Sequence, residues 1–183
     1  IPVPNPSETL LSQRAKGAGG SVVFCTLQGS RPILCDLQAL AAKSFYSVPK
    51  RTVGGMDSSR VALLLAVMEK RAGKKLFDQD VYINVAGGLA LSDPAADLAV
   101  CVAVASSLMG FALSPSLSVM GEVGLCGEVR PVSQAERRVA ECVRLGFTEI
   151  LLPKQNMKSI KPIEGVRLTG VDTLMQALAV VTD

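Results

Sequence analysis

The chain has 183 residues, of which 49% are hydrophobic and 19% charged, and its formal net charge is +3. This composition is enough for one well-filled core in a single domain, and no apolar stretch reaches the roughly 20 residues needed to cross a membrane. Histidine is absent and the five cysteines contain no Cys-x-x-Cys pair, which excludes serine–histidine and cysteine–histidine triads and gives no indication of a zinc site.

The N-terminal third of the chain predicts a linker, a hairpin and a loop. The opening Ile1-Pro-Val-Pro-Asn-Pro6 is typical of a proline-stiffened linker, so we expect residues 1–16 to be the tail of a preceding unit and residues 17–183 to form the domain. Period-two alternation predicts a β-hairpin with arms at 21–27 and 33–40. Residues 41–56 have no period and are rich in Lys, Ser, Pro and Gly, which indicates a loop.

The rest of the chain alternates strands with helices, which predicts an α/β domain with helices packed on a mixed sheet. Helical spacing and caps predict helices over 58–72, 94–109 and 134–145 and a last one after 172, and the second should be central because it is apolar nearly all round. The predicted strands are 81–86, closed by Gly87-Gly88, then 117–120, 128–132, 149–152 and 166–169. The predicted caps are Asp57 or Ser58, Asp93 before Pro94, a Ser133–Glu136 capping box, and Asp172.

Two glycine-rich segments are candidates for nucleotide-binding loops. Neither Gly17–Ser21 nor Gly54–Ser59 contains the lysine that a P-loop needs to reach the β- and γ-phosphates. Tight turns are the favoured interpretation of both segments. We therefore expect no ATP hydrolysis by this domain itself.

A stronger signal comes from two longer segments. Asn84-Val-Ala-Gly-Gly-Leu-Ala-Leu-Ser-Asp-Pro-Ala-Ala-Asp97 and Gly121-Glu-Val-Gly-Leu-Cys-Gly-Glu-Val-Arg-Pro-Val132 resemble the proteolytic domain of the Lon family. In that family a serine after proline attacks the peptide carbonyl, and a lysine beyond the Val-x-Pro strand is its base. Here Ala95 follows Pro94, and the lysine position falls on Glu136 or within a residue of it. The resemblance implies a Lon-like fold, akin to ribosomal protein S5 domain 2, with both dyad positions lost.

Three serines remain as alternative nucleophiles. Ser92 flanks a predicted cap, and Ser106 and Ser107 lie near the end of a predicted helix, so structural roles are favoured for all three. An atypical serine peptidase that uses one of them stays open as an alternative function.

The motif with alanine in place of serine resembles the C-terminal domain of the RadA family of DNA repair ATPases more than it resembles the Lon enzymes. The segments that carry this resemblance include Asp93-Pro-Ala-Ala-Asp-Leu-Ala99, Gln134-Ala-Glu-Arg-Arg138 and Leu151-Leu-Pro-Lys154. It implies a preceding zinc finger and a RecA-like ATPase, so zinc, ATP and Mg²⁺ would bind outside this chain, which itself holds no cofactor. It also implies hexameric rings that promote branch migration on DNA, without membrane contact, in the bacterial cytoplasm and nucleoid or, for a eukaryotic homologue, in the mitochondrion or chloroplast.

In this architecture the domain is expected to support self-association and DNA binding. The candidate phosphate contacts are Lys43, Lys50 and Arg51 in the predicted loop and, more weakly, Arg130. Phe45 and Tyr46 could stack on bases, although anchoring to the core is the favoured interpretation. Other basic groups are Arg137 and Arg138, expected on a solvated helix face, and a looser cluster of Lys154, Lys158 and Lys161. A pure oligomerisation module without DNA contact is the third alternative.

Overall fold

The computed structural model describes residues 11, 12, 14, 17–86 and 89–183. Most of the predicted linker, residues 1–16, lies outside the described residues, as do Gly87 and Gly88. Within the predicted linker, Arg14 contacts the domain: its Nε lies 3.4 Å from the carboxylate of Asp36 and donates to the Ser21 hydroxyl.

Among the described residues, seven strands form one mixed sheet and two more form a separate ribbon. In chain order the strands are β1 (Ser21–Gln28), β2 (Arg31–Lys43), β3 (Arg51–Gly54), β4 (Gln79–Val85), β5 (Leu117–Val119), β6 (Glu122–Val123), β7 (Val129–Arg130), β8 (Glu149–Pro153) and β9 (Arg167–Val171). The sheet order is β3-β4-β2-β1-β5-β8-β9, in which β1–β2 and β2–β4 are antiparallel and the other pairs parallel. The ribbon is β6–β7. This arrangement confirms the predicted mixed α/β fold and its N-terminal hairpin.

The helices pack on both faces of this sheet. They are α1 (Ser58–Ala72), α2 (Asp97–Met109), α3 (Ala135–Arg144) and α4 (Leu174–Thr182), with short 3₁₀ helices at Pro94–Ala96 and Lys154–Ser159. Six consecutive residues of β1, Ser21–Thr26, are buried. Because successive strand residues point to opposite faces, both faces of β1 are covered, and both α2 and α3 contact it. Residues 97–106 of α2 are all buried, which confirms its central place.

The predicted loop over residues 41–56 is wrong at both ends. Strand β2 continues to Lys43, and Arg51–Gly54 form β3, which pairs in parallel with β4. Only its pairing with β4 makes this short segment a strand, since its own side chains show no alternation of burial. A period-based prediction misses such a segment because the pairing energy comes from a strand nearly 30 residues away in the chain.

Two helix caps are as predicted and two are not. The side chains of Asp57 and Asp93 accept from the backbone N–H groups of Ser59 and Ala95, as N-caps do. The predicted Ser133–Glu136 capping box is wrong, because α3 begins after Gln134 without any side-chain cap. The last helix is capped by Thr173, whose hydroxyl accepts from Gln176 N at 3.1 Å, and not by Asp172.

Four of the five cysteines are buried free thiols, and Cys126 is exposed. Burial raises the pKa of Cys35 to about 12, so this thiol stays protonated and unreactive near neutral pH. In the described part of the chain, no helix is long and apolar enough to cross a membrane.

Candidate functional site

The residue at the predicted nucleophile position, Ala95, lies in the 3₁₀ helix that leads into α2. It is buried, with 3% of its surface exposed. Asp93 holds this turn: its Oδ1 accepts from Ala95 N at 3.0 Å, and its Oδ2 accepts from the Thr26 hydroxyl and Leu27 N at 3.4 Å. Asp93 therefore fixes the turn against the end of β1.

Arg138 of α3 is the cation that reaches this turn. Its Nη1 lies 2.6 Å from Asp93 Oδ2 and also donates to the carbonyl of Cys25 at 2.8 Å, while its Nε donates to the carbonyl of Ser133 at 2.9 Å. Only 1% of Arg138 is exposed, so the expectation of a solvated helix face is wrong for this residue. A guanidinium stays protonated in proteins and cannot act as a general base for a hydroxyl at position 95.

Glu136, predicted at or within a residue of the lysine position, lies on the exposed side of α3. Its carboxylate is hydrogen-bonded to the side chain of Ser159, which lowers the pKa of Glu136. The structure therefore brings Arg138, and not Glu136, beside the Asp93–Ala95 turn. A sequence signal for this existed: Arg138 shares helical spacing with Ala135, Val139 and Cys142, which form the buried face of α3.

A cleft of about 780 Å³ opens beside the turn. Its charged lining residues are Asp57, Arg60, Asp93, Asp97 and Glu122, and none of the lining residues in the described part of the chain is a lysine. Arg60 and Asp97 form an ion pair, and the buried Asp97 carboxylate also accepts from Val123 N at 3.1 Å. The pairing with Asp97 raises the pKa of Arg60. Much of the charge in the cleft is thus neutralised internally.

The three alternative serines occupy different environments. Ser106 accepts from Gly20 N at 2.9 Å and Ser107 accepts from Ala41 N at 3.0 Å, so both hydroxyls tie α2 to the hairpin, as the favoured interpretation predicted. Ser92 is exposed and lines the cleft.

Of the predicted DNA-contacting loop over positions 43–51, residues 44–50 connect β2 to β3, and both ends of this connection are held by hydrogen bonds. Ser44 N donates to the carbonyl of Asp78 at 2.8 Å, and Lys50 N donates to the buried carboxylate of Asp80 at 2.6 Å. The ammonium of Lys50 lies 4.1 Å from the ring centroid of Tyr46, and hydrogen bonding to Tyr46 raises the pKa of Lys50. Lys43 and Lys50 are both exposed.

Arg51 has a different environment from these two lysines. Its guanidinium donates to the backbone carbonyls of Leu76 and Gln79, with the Leu76 contact at 2.9 Å. The Arg51 side chain therefore fastens β3 to the segment that precedes β4. Two of its five N–H donors are used by these backbone contacts.

Phe45 does not anchor the loop to the core, contrary to the favoured interpretation, because 95% of its surface is exposed. The structure places a further exposed ring, Phe77, on the neighbouring segment 73–78, two positions after the exposed Lys75. The sequence analysis did not include this segment in the candidate surface. Two adjacent lysines followed by Phe77, outside any helical or strand periodicity, could have indicated it. We call Lys43, Phe45, Lys50, Lys75 and Phe77 the basic–aromatic surface.

The remaining basic residues lie elsewhere. Arg130 is on the β6–β7 ribbon, 3.6 Å from the carboxylate of Glu128, and Arg137 donates to the carbonyl of Ser30 at 2.8 Å. Lys154, Lys158 and Lys161 are exposed near the second 3₁₀ helix, and Lys154 lies 3.8 Å from Asp172. Within the described residues, no hydrogen bond or ion pair joins any of these side chains to the basic–aromatic surface.

Comparison with known proteins places this geometry in a family. The family model for the Lon protease (S16) C-terminal proteolytic domain matches residues 57–178. The DNA repair protein RadA of Streptococcus pyogenes is 44% identical over 181 residues, and that of Halalkalibacterium halodurans is 43% identical over 178; these matches cover 99% and 97% of this chain. The chain spans only 40% and 39% of those relatives' lengths. The chain therefore belongs to the family of Lon-type C-terminal proteolytic domains, in the form found in DNA repair proteins of the RadA type.

Proposed function

We propose that this chain is a non-proteolytic Lon-like domain that binds DNA and supports self-association within a RadA-type repair protein. The observation that carries the proposal is the basic–aromatic surface, on which exposed lysines and exposed rings from two neighbouring segments lie outside the core. Lysines on a protein surface neutralise phosphates, and aromatic rings beside them are typical of nucleic-acid contacts. The similarity to proteins named DNA repair protein RadA supports the same function.

The absence of peptidase activity is proposed from the chemistry of the Asp93–Ala95 turn. Alanine has no nucleophile, and the cation bonded to the turn is the Arg138 guanidinium, which already contacts a carboxylate and two backbone carbonyls. A Ser–Lys dyad needs a neutral amine within hydrogen-bond reach of the hydroxyl.

Restoring the serine alone is expected to create no peptidase. Ala95→Ser supplies an oxygen, but Arg138 cannot take its proton. The measurement is turnover of casein and fluorogenic peptides, together with labelling by a fluorophosphonate probe. Turnover by Ala95→Ser would show that another base serves the site. Turnover by the unmodified chain that Ser92→Ala abolishes would establish the atypical serine peptidase instead.

For DNA, we assign the phosphate contacts to Lys43 and Lys50 and a positioning role to Arg51. Both lysines are exposed, whereas the Arg51 guanidinium is bonded to backbone carbonyls of the neighbouring segment. Arg130 is assigned a minor contribution, since the Glu128 carboxylate lies close to its charge.

Changing both Lys43 and Lys50 to alanine is expected to weaken DNA binding on the order of tenfold at low salt. The slope of log affinity against log salt should become shallower by about two, because about two phosphate contacts are lost. The measurement is fluorescence anisotropy over a salt series. The matched control is Lys158→Ala with Lys161→Ala, which removes the same charge elsewhere and should leave the slope nearly unchanged.

Equal effects of the two double variants would contradict the assignment of the site. No DNA binding by the unmodified chain even at low salt would overturn DNA binding altogether and leave a pure oligomerisation module. Self-association into a hexamer is part of the proposal and rests on the RadA resemblance; light scattering on the purified chain measures it. We place ATP and zinc binding in parts of the whole protein outside this chain.

A further inference from the structure

The segment before β1 is fastened to the domain through one arginine, Arg14. Its guanidinium Nε lies 3.4 Å from the carboxylate of Asp36 and donates to the Ser21 hydroxyl at 3.3 Å. Its Nη1 donates to the carbonyl of Pro115 at 3.3 Å. Arg14 therefore joins this segment to β1, to β2 and to the connection between α2 and β5, 101 positions further along the chain.

The carboxylate that Arg14 contacts is buried. Only 1% of Asp36 is exposed, and its oxygens also accept from the Ser21 hydroxyl at 2.6 Å and from the Gln38 side chain at 3.0 Å. Both of these donors are neutral, so within the described residues Arg14 supplies the positive charge that balances Asp36. The Arg14 side chain is 13% exposed, which limits solvent screening of the pair. A buried carboxylate that loses its cation destabilises the fold around it.

A second contact of the same segment is apolar. Leu11 is half-buried and packs against the core. Together with Arg14 it lines a cavity of about 220 Å³, to which the domain contributes the apolar side chains of Leu113, Leu145 and Phe147. Leu11 and Arg14 are themselves joined, since Arg14 N donates to the carbonyl of Leu11 at 3.1 Å. An apolar contact and a charged contact, three positions apart, thus hold the segment to the domain.

The chain between Arg14 and β1 would not keep one direction without these contacts. Gly17 lies there with a positive φ of 78°, and a Cβ at this position would meet nothing within 4 Å. Glycine has more backbone freedom than any other residue, so an open position of this kind allows the chain before it to pivot. Gly20, by contrast, is held, because its N–H donates to the Ser106 hydroxyl at 2.9 Å. The direction of the chain before Gly17 therefore depends on contacts made by residues that precede it.

We propose that Leu11 and Arg14 form an anchor that fixes the direction in which the preceding part of a RadA-type protein joins this domain. The inference rests on the proposed function, because it requires the domain to be one part of a longer repair protein. One contact alone would let the segment rotate about it. Two contacts, one of them a guanidinium held by a carboxylate, a hydroxyl and a carbonyl, define one orientation. A displacement of the preceding part would then be transmitted to β2 and to the connection before β5.

The test measures how narrowly the position of this segment is defined. A nitroxide label at Ser12→Cys and a second one at the exposed Cys126 give a distance by double electron–electron resonance in the 183-residue chain, since the other four cysteines are buried. The labelled chain is diluted with unlabelled chain, so that only distances within one molecule contribute. With Arg14 present, the distance distribution should be narrow. Arg14→Ala should broaden it by roughly 10 Å, the extension of a freed stretch of about five residues.

Arg137→Ala is the matched control, because it removes an exposed arginine that has one hydrogen bond to a backbone carbonyl. This control should leave the distance distribution unchanged. A second measurement tests the partner of Arg14. Arg14→Ala should lower the thermal midpoint by roughly 5–10 °C, and adding Asp36→Asn should recover about half of that loss, because it removes the uncompensated buried charge.

The outcomes separate the anchor from the proposed function. A broad distribution in the chain that keeps Arg14, or a narrow one in Arg14→Ala, overturns the anchor whether or not the chain binds DNA. No recovery by Asp36→Asn overturns the pairing of Arg14 with a buried charge. A narrow distribution that Arg14→Ala broadens, in a chain that binds no DNA, supports the anchor and overturns DNA binding alone.

Discussion

Replacement of Arg138 by alanine is expected to lower the free energy of unfolding by about 3–5 kcal/mol, as breaking a buried ion pair does. The change leaves the Asp93 carboxylate without its cation and the carbonyls of Cys25 and Ser133 without their donor. Because Arg138 is 1% exposed, solvent cannot easily replace these contacts. The measurement is urea unfolding followed by circular dichroism.

The matched control is Arg137→Ala, one residue earlier in the same helix. Arg137 is exposed and makes one hydrogen bond to the carbonyl of Ser30, so its loss should cost about 1 kcal/mol or less. Similar losses for the two variants would contradict the assignment of Arg138 as the residue that joins α3 to the Asp93 turn. Asp93→Asn should fall between them, because the amide keeps part of the hydrogen bonding and loses the charge.

Gly20→Ala is expected to cost about 3 kcal/mol or more. Gly20 has a positive φ of 91°, and a Cβ at this position would lie 2.1 Å from the carbonyl oxygen of Ala39. Both backbone strain and overlap with a backbone atom therefore oppose the substitution. The strands must shift to admit the methyl group, and the hydrogen bond from Ala39 N to Gly20 O would weaken with them. Thermal and urea unfolding measure the effect.

Gly29→Ala separates the two causes. Gly29 also has a positive φ, of 63°, but a Cβ there meets nothing within 4 Å. Only the conformational cost applies, about 1 kcal/mol. If Gly20→Ala were no worse than Gly29→Ala, the close approach of β2 to Gly20 would not hold in solution.

The buried ion pair between Arg138 and Asp93 holds the Asp93–Ala95 turn in place within the fold. In the structure Arg138 bonds to the carboxylate that caps the turn and to the end of β1, so its contacts stabilise packing. The two charged groups that meet at this turn, Asp93 and Arg138, neutralise each other. This pairing supports the proposal that the domain acts through another part of its surface.

The candidate DNA surface could be predicted from the sequence only in part. The sequence identified Lys43, Lys50 and Arg51 as basic residues in a segment without helical or strand periodicity. It gave no reason to assign the three residues different roles. Only the fold distinguishes them, because Arg51 meets the carbonyls of Leu76 and Gln79 and the two lysines do not. The contribution of segment 73–78 was missed for the same reason, since it adjoins the loop through the pairing of β2 with β4.

The sequence by itself determined the order of the elements other than β3 and β6, the central place of α2 and the caps at Asp57 and Asp93. These features depend on residues a few positions apart, whose periodicity and hydrogen-bonding capacity can be read along the chain. The sequence also shows directly that an alanine, Ala95, follows Pro94 at the predicted nucleophile position. The tertiary structure decided that β3 is a strand, that Arg138 rather than Glu136 adjoins the Asp93–Ala95 turn, and that Phe45 is exposed. Arg138 meets Cys25 across 113 positions of sequence, and such contacts follow from how sheets and helices pack, which no local pattern encodes.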